Sequence, residues 1–325
     1  MIEKIREIVA PYRVRVIDVE LITKGFLSEN FKVVCEEGVF FLKQYRAALD
    51  EKRVMDIHAS KNFFAQQGLP AVMPLANEAG AYYIFHEGKF YSLFPFVSGN
   101  TYPDQHCSVR ELESLARMLA RAHSAGAAAP ANYIEKKFQR KNIGEAIAYG
   151  NTIVAAIQEE MARTGGTDFD SIALQIAQKK ISLLAAWPYP ELQERDYVLA
   201  HHDLHAGNVF FDEDGEVRHV FDFELSQYEP AAFDVVRTMT IVCMDYGSAE
   251  EKWARVAAFL RAYREVRELS DEELLYGVLE FVRYRTTSFW VEEEHYLKQN
   301  ARVDRFLEWD DVSRVMWIEW LAARK

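Results

Sequence analysis

Apolar residues recur along this chain with two different periods, and the change from one to the other divides it. Ile2, Ile5, Ile8 and Val9 lie at helical spacing and stop before Pro11, which predicts a short first helix. Three runs rich in Val, Ile, Leu and Phe follow at 12–22, 30–35 and 39–45. They read as antiparallel strands, joined by a turn at 23–29 and by Glu36-Glu37-Gly38. A helix over 51–67 has Asp50 as its N-cap and is stopped by Gly68 and Pro70. An extended segment at 69–74 and strands at 81–85 and 89–94, around Glu87-Gly88, complete this part.

Beyond residue 100 the spacing turns helical. Ser108-Val109-Arg110-Glu111 has the form of a capping box, and Leu112, Leu115, Met118, Leu119 and Ala122 follow on one face. Helices at 145–162 and 170–186 flank a loop at 163–167, and Ser248/Glu251 and Ser270/Glu273 open two more. Strands first and helices afterwards predict an α+β chain. One stretch breaks the helical pattern: short apolar runs at 208–212 and 216–223 around Glu213-Asp214-Gly215 read as a β-hairpin.

That hairpin concentrates the chemistry. Asp203 and Asn208 enter at one end, and Asp222 leaves at the same end of the other strand. Three oxygen-bearing side chains therefore converge, as binding of a hard cation and proton abstraction from a hydroxyl both require. Lys43 is a lone cation in the apolar run Phe40-Phe41-Leu42-Lys43.

The order His201-x-Asp203-Leu204-His205-x-Gly207-Asn208, followed by Asp222-Phe223-Glu224, resembles the aminoglycoside phosphotransferase and choline kinase superfamily. The resemblance implies a bilobal protein-kinase-like fold, with a small β-rich N-lobe over 1–96 and a larger, mainly helical C-lobe over 97–325. It implies an ATP-dependent phosphotransferase that moves the γ-phosphate to a hydroxyl of a small molecule, such as an aminoalcohol, amino acid or aminosugar, with Mg²⁺ as cofactor. Asp203 would accept or orient the hydroxyl proton, Asn208 and Asp222 would hold the metal, and Lys43 would clamp the α- and β-phosphates. Gly25 and Ser28 fall in a loop placed over the phosphates, and the backbones of Phe94 and Phe96 in the hinge Leu93–Gly99 would face the adenine edge. His201 is carried over as a loop brace and Asp234 as a buried support. The family also places an acid for Lys43 on the 51–67 helix. Only Glu51 and Asp56 are available there, so Asp56 is the expected partner, with His58 as a stand-in. The tract 290–296 reads as a solvated helix end, with a role in the acceptor site as the alternative.

Composition narrows the picture. With 50% hydrophobic and 27% charged residues over 325 positions, the chain has ample material for a large core. A net charge of −12 argues against a nucleic-acid surface and favours a cationic acceptor. Three widely spaced cysteines, Cys35, Cys107 and Cys243, form no disulfide framework or zinc pattern, as expected of a reducing, cytoplasmic setting. The first residues lack a signal-peptide core, and no apolar run reaches the roughly 18 residues of a membrane span. A protein kinase is disfavoured by the missing glycine-rich loop and Ala-Pro-Glu. A non-catalytic scaffold or spore-coat relative competes, but Lys43, Asp203, Asn208 and Asp222 are all retained.

Overall fold

The computed structural model describes residues 1–22, 29–46, 48–193, 197–244 and 247–324. Helix α1 (Ile2–Val9) precedes strands β1 (Val16–Ile22), β2 (Asn30–Cys35) and β3 (Gly38–Gln44), and helix α2 (Glu51–Gln66) follows. Strands β4 (Ile84–His86) and β5 (Lys89–Pro95) join the first three in one antiparallel sheet of order β1-β2-β3-β5-β4. Strict alternation in β2 turns Phe31, Val33 and Cys35 inward, where they meet Ile5, Ile8 and Val9 of α1 and Leu42, Tyr91 and Leu93. Each such fully buried side chain contributes about 1.5–3 kcal/mol. The register sets Lys43 opposite Asn30 on one side and Ser92 on the other. Asp50 caps α2 by accepting from the Arg53 N–H at 2.7 Å.

The helical part begins with α3 (Val109–Ala127), whose Ser108/Glu111 capping box forms as the sequence predicts. It continues with α4 (Ile143–Thr164) and α5 (Asp168–Ala185). Short strands β6 (Tyr197–Ala200), β7 (Val209–Phe211), β8 (Val217–Val220) and β9 (Gln227–Pro230) come next; β7 pairs with β8 and β6 with β9. Helices α6 (Ala231–Cys243), α7 (Ala249–Arg264), α8 (Asp271–Thr286), α9 (Trp290–Glu292) and α10 (Leu307–Ala322) follow. Helix α3 lies directly on β6: a Cβ built on Gly126 would stand 1.9 Å from the Leu199 carbonyl oxygen. None of these helices is long and apolar enough to cross a membrane.

Two compact units emerge. One comprises Met1–Lys137, Tyr197–Glu229 and Ile241–Glu268, the other Phe138–Asp196, Pro230–Thr240 and Leu269–Lys325. The second has its own core of Ile153, Ile157, Ala173, Ile176, Phe289 and Leu307. It corrects the reading of 290–296 as a solvated end. Val291 and Glu292 are buried, and Lys180 Nζ stands 3.4 Å from Glu292 Oε1 and 3.1 Å from Asp310 Oδ2. A carboxylate is tolerated inside because distant elements bring it a cation, which a local charge pattern does not register.

Candidate active site

Every described residue of the site belongs to the first unit. The β7–β8 hairpin is held along both edges by backbone hydrogen bonds. The Val72 N–H donates to Val220 O at 3.0 Å and the Val220 N–H to Pro70 O at 2.8 Å. On the other edge, Asn100 N–H donates to Phe211 O at 3.0 Å and Phe211 N–H to Asn100 O at 2.8 Å. Segment 69–74 thus enters as a single bridge to β8 rather than a full strand. Gly99 permits the close pass on the β7 side, since a Cβ there would meet Phe211 O at 2.8 Å.

The hairpin's open end carries the polar groups, as the sequence predicts. Phe221 N–H donates to Asn208 O at 2.8 Å, closing the pair beside Asp222. His201 Nε2–H donates to Phe221 O at 2.7 Å, while its Nδ1 accepts from the Asp203 N–H at 3.2 Å. One imidazole tautomer therefore ties the loop to the hairpin, the bracing expected of His201. Asn208 Nδ2 donates to Asp203 O at 2.8 Å and to Asp203 Oδ2 at 3.1 Å. Asp222 occupies the left-handed region, φ 53° and ψ 70°, a placement that residues other than glycine rarely adopt.

The partner of Lys43 departs from expectation. Its side chain is only 9% exposed, and Nζ lies 2.8 Å from both Asp222 Oδ1 and Glu224 Oε1. Glu224 Oε2 is also 3.1 Å from Arg46 Nε. The acid partner therefore comes from the segment after Asp222, not from α2. Asp56 instead pairs with Lys52 at 2.5 Å and accepts the Glu135 N–H at 3.0 Å. His58 lies 3.2 Å from both Tyr45 Oη and Ser92 Oγ; burial, aided by Lys61 and Lys43, lowers it to about 3, so the ring is neutral. The missed signal was the acid two places after Asp222: the 3₁₀ turn Phe223–Leu225 returns Glu224 to the Asp222 side. Burial opposes the charge on Lys43, but the Asp222 and Glu224 carboxylates outweigh it and raise the ammonium above its ordinary value. Burial likewise pushes Asp222 up, yet Lys43 holds it below the usual carboxylate range.

Helix α2 presents cations to this segment. Arg53 Nη2 donates to Glu224 O at 2.6 Å and Ser226 O at 2.8 Å. Lys61 is buried with Nζ 4.1 Å from the Phe94 ring centroid and 5.5 Å from that of Phe223. Burial, then Lys43, lowers Lys61 to about 7.

Phe41, Phe94 and Phe221 form an apolar wall, with centroids 5.7–6.2 Å apart. The Phe94 side chain is fully buried, whereas Phe96 is 44% exposed. The Phe96 N–H donates to Val39 O at 3.2 Å, which leaves only its carbonyl to face a base edge. Gly25 and Ser28 lie outside the described residues.

The donor chemistry fits a hard divalent cation. The Asp222 side chain keeps 38% of its surface open beside Lys43. Asn208 spends its Nδ2 on Asp203, so its amide oxygen is the atom left to offer. A carboxylate and an amide oxygen are Mg²⁺ or Ca²⁺ ligands, and further ligands would come from water and phosphate.

A model of the phosphotransferase enzyme family matches residues 18–269. Among curated proteins, the chain is 36% identical over 107 residues to a homoserine kinase of Cupriavidus necator, a match spanning 31% of this chain and 32% of that enzyme. It is 24% identical over 255 residues to a homoserine kinase of Parvibaculum lavamentivorans, covering 78% of this chain and 73% of that one. Among solved structures, a microcompartment-associated aminopropanol kinase superposes with TM-score 0.66 at 13% identity, covering 99% of this chain and 98% of the other. An amicoumacin kinase, solved with AMP-PNP, Ca²⁺ and Ami, gives 0.58 at 15% identity over 94% and 92%. These likenesses show a kinase-like phosphotransferase fold.

Proposed function

The chain belongs to the phosphotransferase enzyme family, and on that premise we propose that it transfers the γ-phosphate of ATP to the hydroxyl of a small amino alcohol or hydroxy amino acid. The carrying observation is the cluster at the hairpin's open end: Lys43 on Asp222 at 2.8 Å, with Asp203 fixed by Asn208 at 3.1 Å. Phosphoryl transfer needs alignment and charge stabilisation rather than covalent chemistry from the protein. Lys43 leaves Asp222 to meet the α- and β-phosphates, while Glu224 keeps it aimed. Asp203 orients the acceptor hydroxyl and takes its proton. Asn208 and Asp222 would hold Mg²⁺, which would supply neutralisation of charge on the phosphate oxygens. Phe94 with the Phe96 carbonyl lines the base pocket. The same reading assigns nucleotide binding to residues 1–96 and acceptor binding to 97–325.

A cationic acceptor suits the net charge of −12. The homoserine kinase relatives and the aminopropanol kinase fold support a small hydroxylated amine. The test is coupled MgATP turnover over a panel of homoserine, amino alcohols and aminosugars. One of the first two classes should give turnover, and Asp203→Asn should lower it by about 10²- to 10⁴-fold with MgATP affinity retained. Near wild-type turnover by Asp203→Asn would refute the mechanism; MgATP binding without turnover on any acceptor would favour a non-catalytic relative.

A further inference from the structure

His202, the residue immediately before Asp203, has φ 67°, a left-handed conformation that only a few per cent of residues other than glycine adopt. It is also 5% exposed, so its ring has left solvent. The imidazole ends on a fully buried acid: His202 Nδ1 lies 2.6 Å from Glu229 Oε2, and Gln227 Nε2 donates to the same oxygen at 2.9 Å. Glu229 sits in β9, which pairs with β6, the strand that leads into His201. The acid is thus fixed by the sheet that delivers the loop. None of these three residues figures in the transfer mechanism above. A strained, buried residue beside a reacting group points to pre-organisation.

We propose that the His202–Glu229 pair is a clamp that locks the left-handed turn at 202 and thereby directs the Asp203 carboxylate. His202 is a positioning residue, acting through the backbone. Asn208 Nδ2 fixes Asp203 from the far side, at 3.1 Å, and the clamp fixes it from the near side. The inference rests on Asp203 orienting the acceptor hydroxyl.

Glycine supplies the discriminating test, because it adopts positive φ without any side-chain restraint. His202→Ala removes the clamp and should let the turn relax, so that a crystal structure shows the Asp203–Asn208 contact broken. Misplacement of this kind is worth about 10²-fold in turnover, and MgATP affinity should not change. His202→Gly should restore the contact and most of the turnover. Glu229→Gln keeps shape and one hydrogen bond, and should fall between; it carries the test if His202→Ala does not fold. The contact intact in His202→Ala, or His202→Gly no better than His202→Ala at equal thermal stability, would overturn the clamp. Asp203→Asn in the same MgATP assay separates the failures. An active Asp203→Asn refutes the role of Asp203, whereas an inactive one beside a fully active His202→Ala refutes the clamp alone.

Discussion

Substituting Glu224 by Gln probes how Lys43 is shared between folding and nucleotide binding. In the wild type Lys43 Nζ has two carboxylates, each at 2.8 Å. Breaking a buried pair outright costs about 3–5 kcal/mol, but here Asp222 remains and the amide oxygen can still accept. A loss of about 2 kcal/mol in stability is therefore expected. The functional effect should be larger in kind. Lys43 would then have Asp222 as its one charged partner, the carboxylate that a metal must also use. The metal then has to displace a charge-assisted hydrogen bond worth about 1.5–3 kcal/mol, or about 10- to 10²-fold in half-saturating Mg²⁺. Urea melts give the first quantity. Titration of a fluorescent ATP analogue across Mg²⁺ concentrations gives the second, with Arg46→Gln as control, since Arg46 pairs with Glu224 but not with Lys43. An unchanged Mg²⁺ midpoint in a destabilised Glu224→Gln would refute the sharing argument and reduce Glu224 to a packing residue.

Three further outcomes are expected. Lys61 titrates at about 7 folded against 10.5 unfolded, so below pH 7 both states hold the proton and the burial penalty is complete. Between those values the unfolded chain binds more protons, and stability should rise by up to about 1.4 kcal/mol per pH unit; Lys61→Met should lack this rise, and equal pH slopes in urea melts would refute it. Gly126→Ala places a Cβ 1.9 Å from the Leu199 carbonyl oxygen, so α3 must shift off β6 at a cost of about 3 kcal/mol; an unchanged melting temperature would contradict that packing. Asp222→Asn should abolish the difference in ATP affinity between Mg²⁺ and EDTA by calorimetry, whereas Asp203→Asn should preserve it; the reverse pattern would exchange their roles.

Local pattern carried much of the fold. The strands of the first sheet, the capped helices and the hairpin all follow from period and turn chemistry, and the hairpin alone brings Asn208 and Asp222 to one end. Strands β6 and β9 were invisible because Val198, Leu199 and Ala200 and all four residues of Gln227–Pro230 are buried, so no alternation marks them. The partner of Lys43 was misplaced because it comes from an acid far along the chain, brought round by a one-turn helix. The use of the Phe96 N–H within the sheet, and the burial of Glu292 by Lys180, depend equally on pairings between remote segments. Sequence periodicity reports which face a residue takes, not what it will meet there.

The backbone bonds that flank the hairpin also set an order in time. Pro70, Val72 and Asn100 leave the ribosome more than a hundred residues before the strands that satisfy them. At about 5–20 residues per second, those groups wait on the order of ten seconds for their partners. Until then the nascent chain presents open strand edges, the template for pairing with a wrong neighbour. Chains stalled near residue 195 should accordingly be cut by protease between 70 and 100, and chains extended past Val220 should resist; equal cutting of both would show that the early segment closes without its late partner. The hairpin and its site are thus fastened long after their early partners emerge, and a truncated product would be a hazard to its neighbours rather than a weak enzyme.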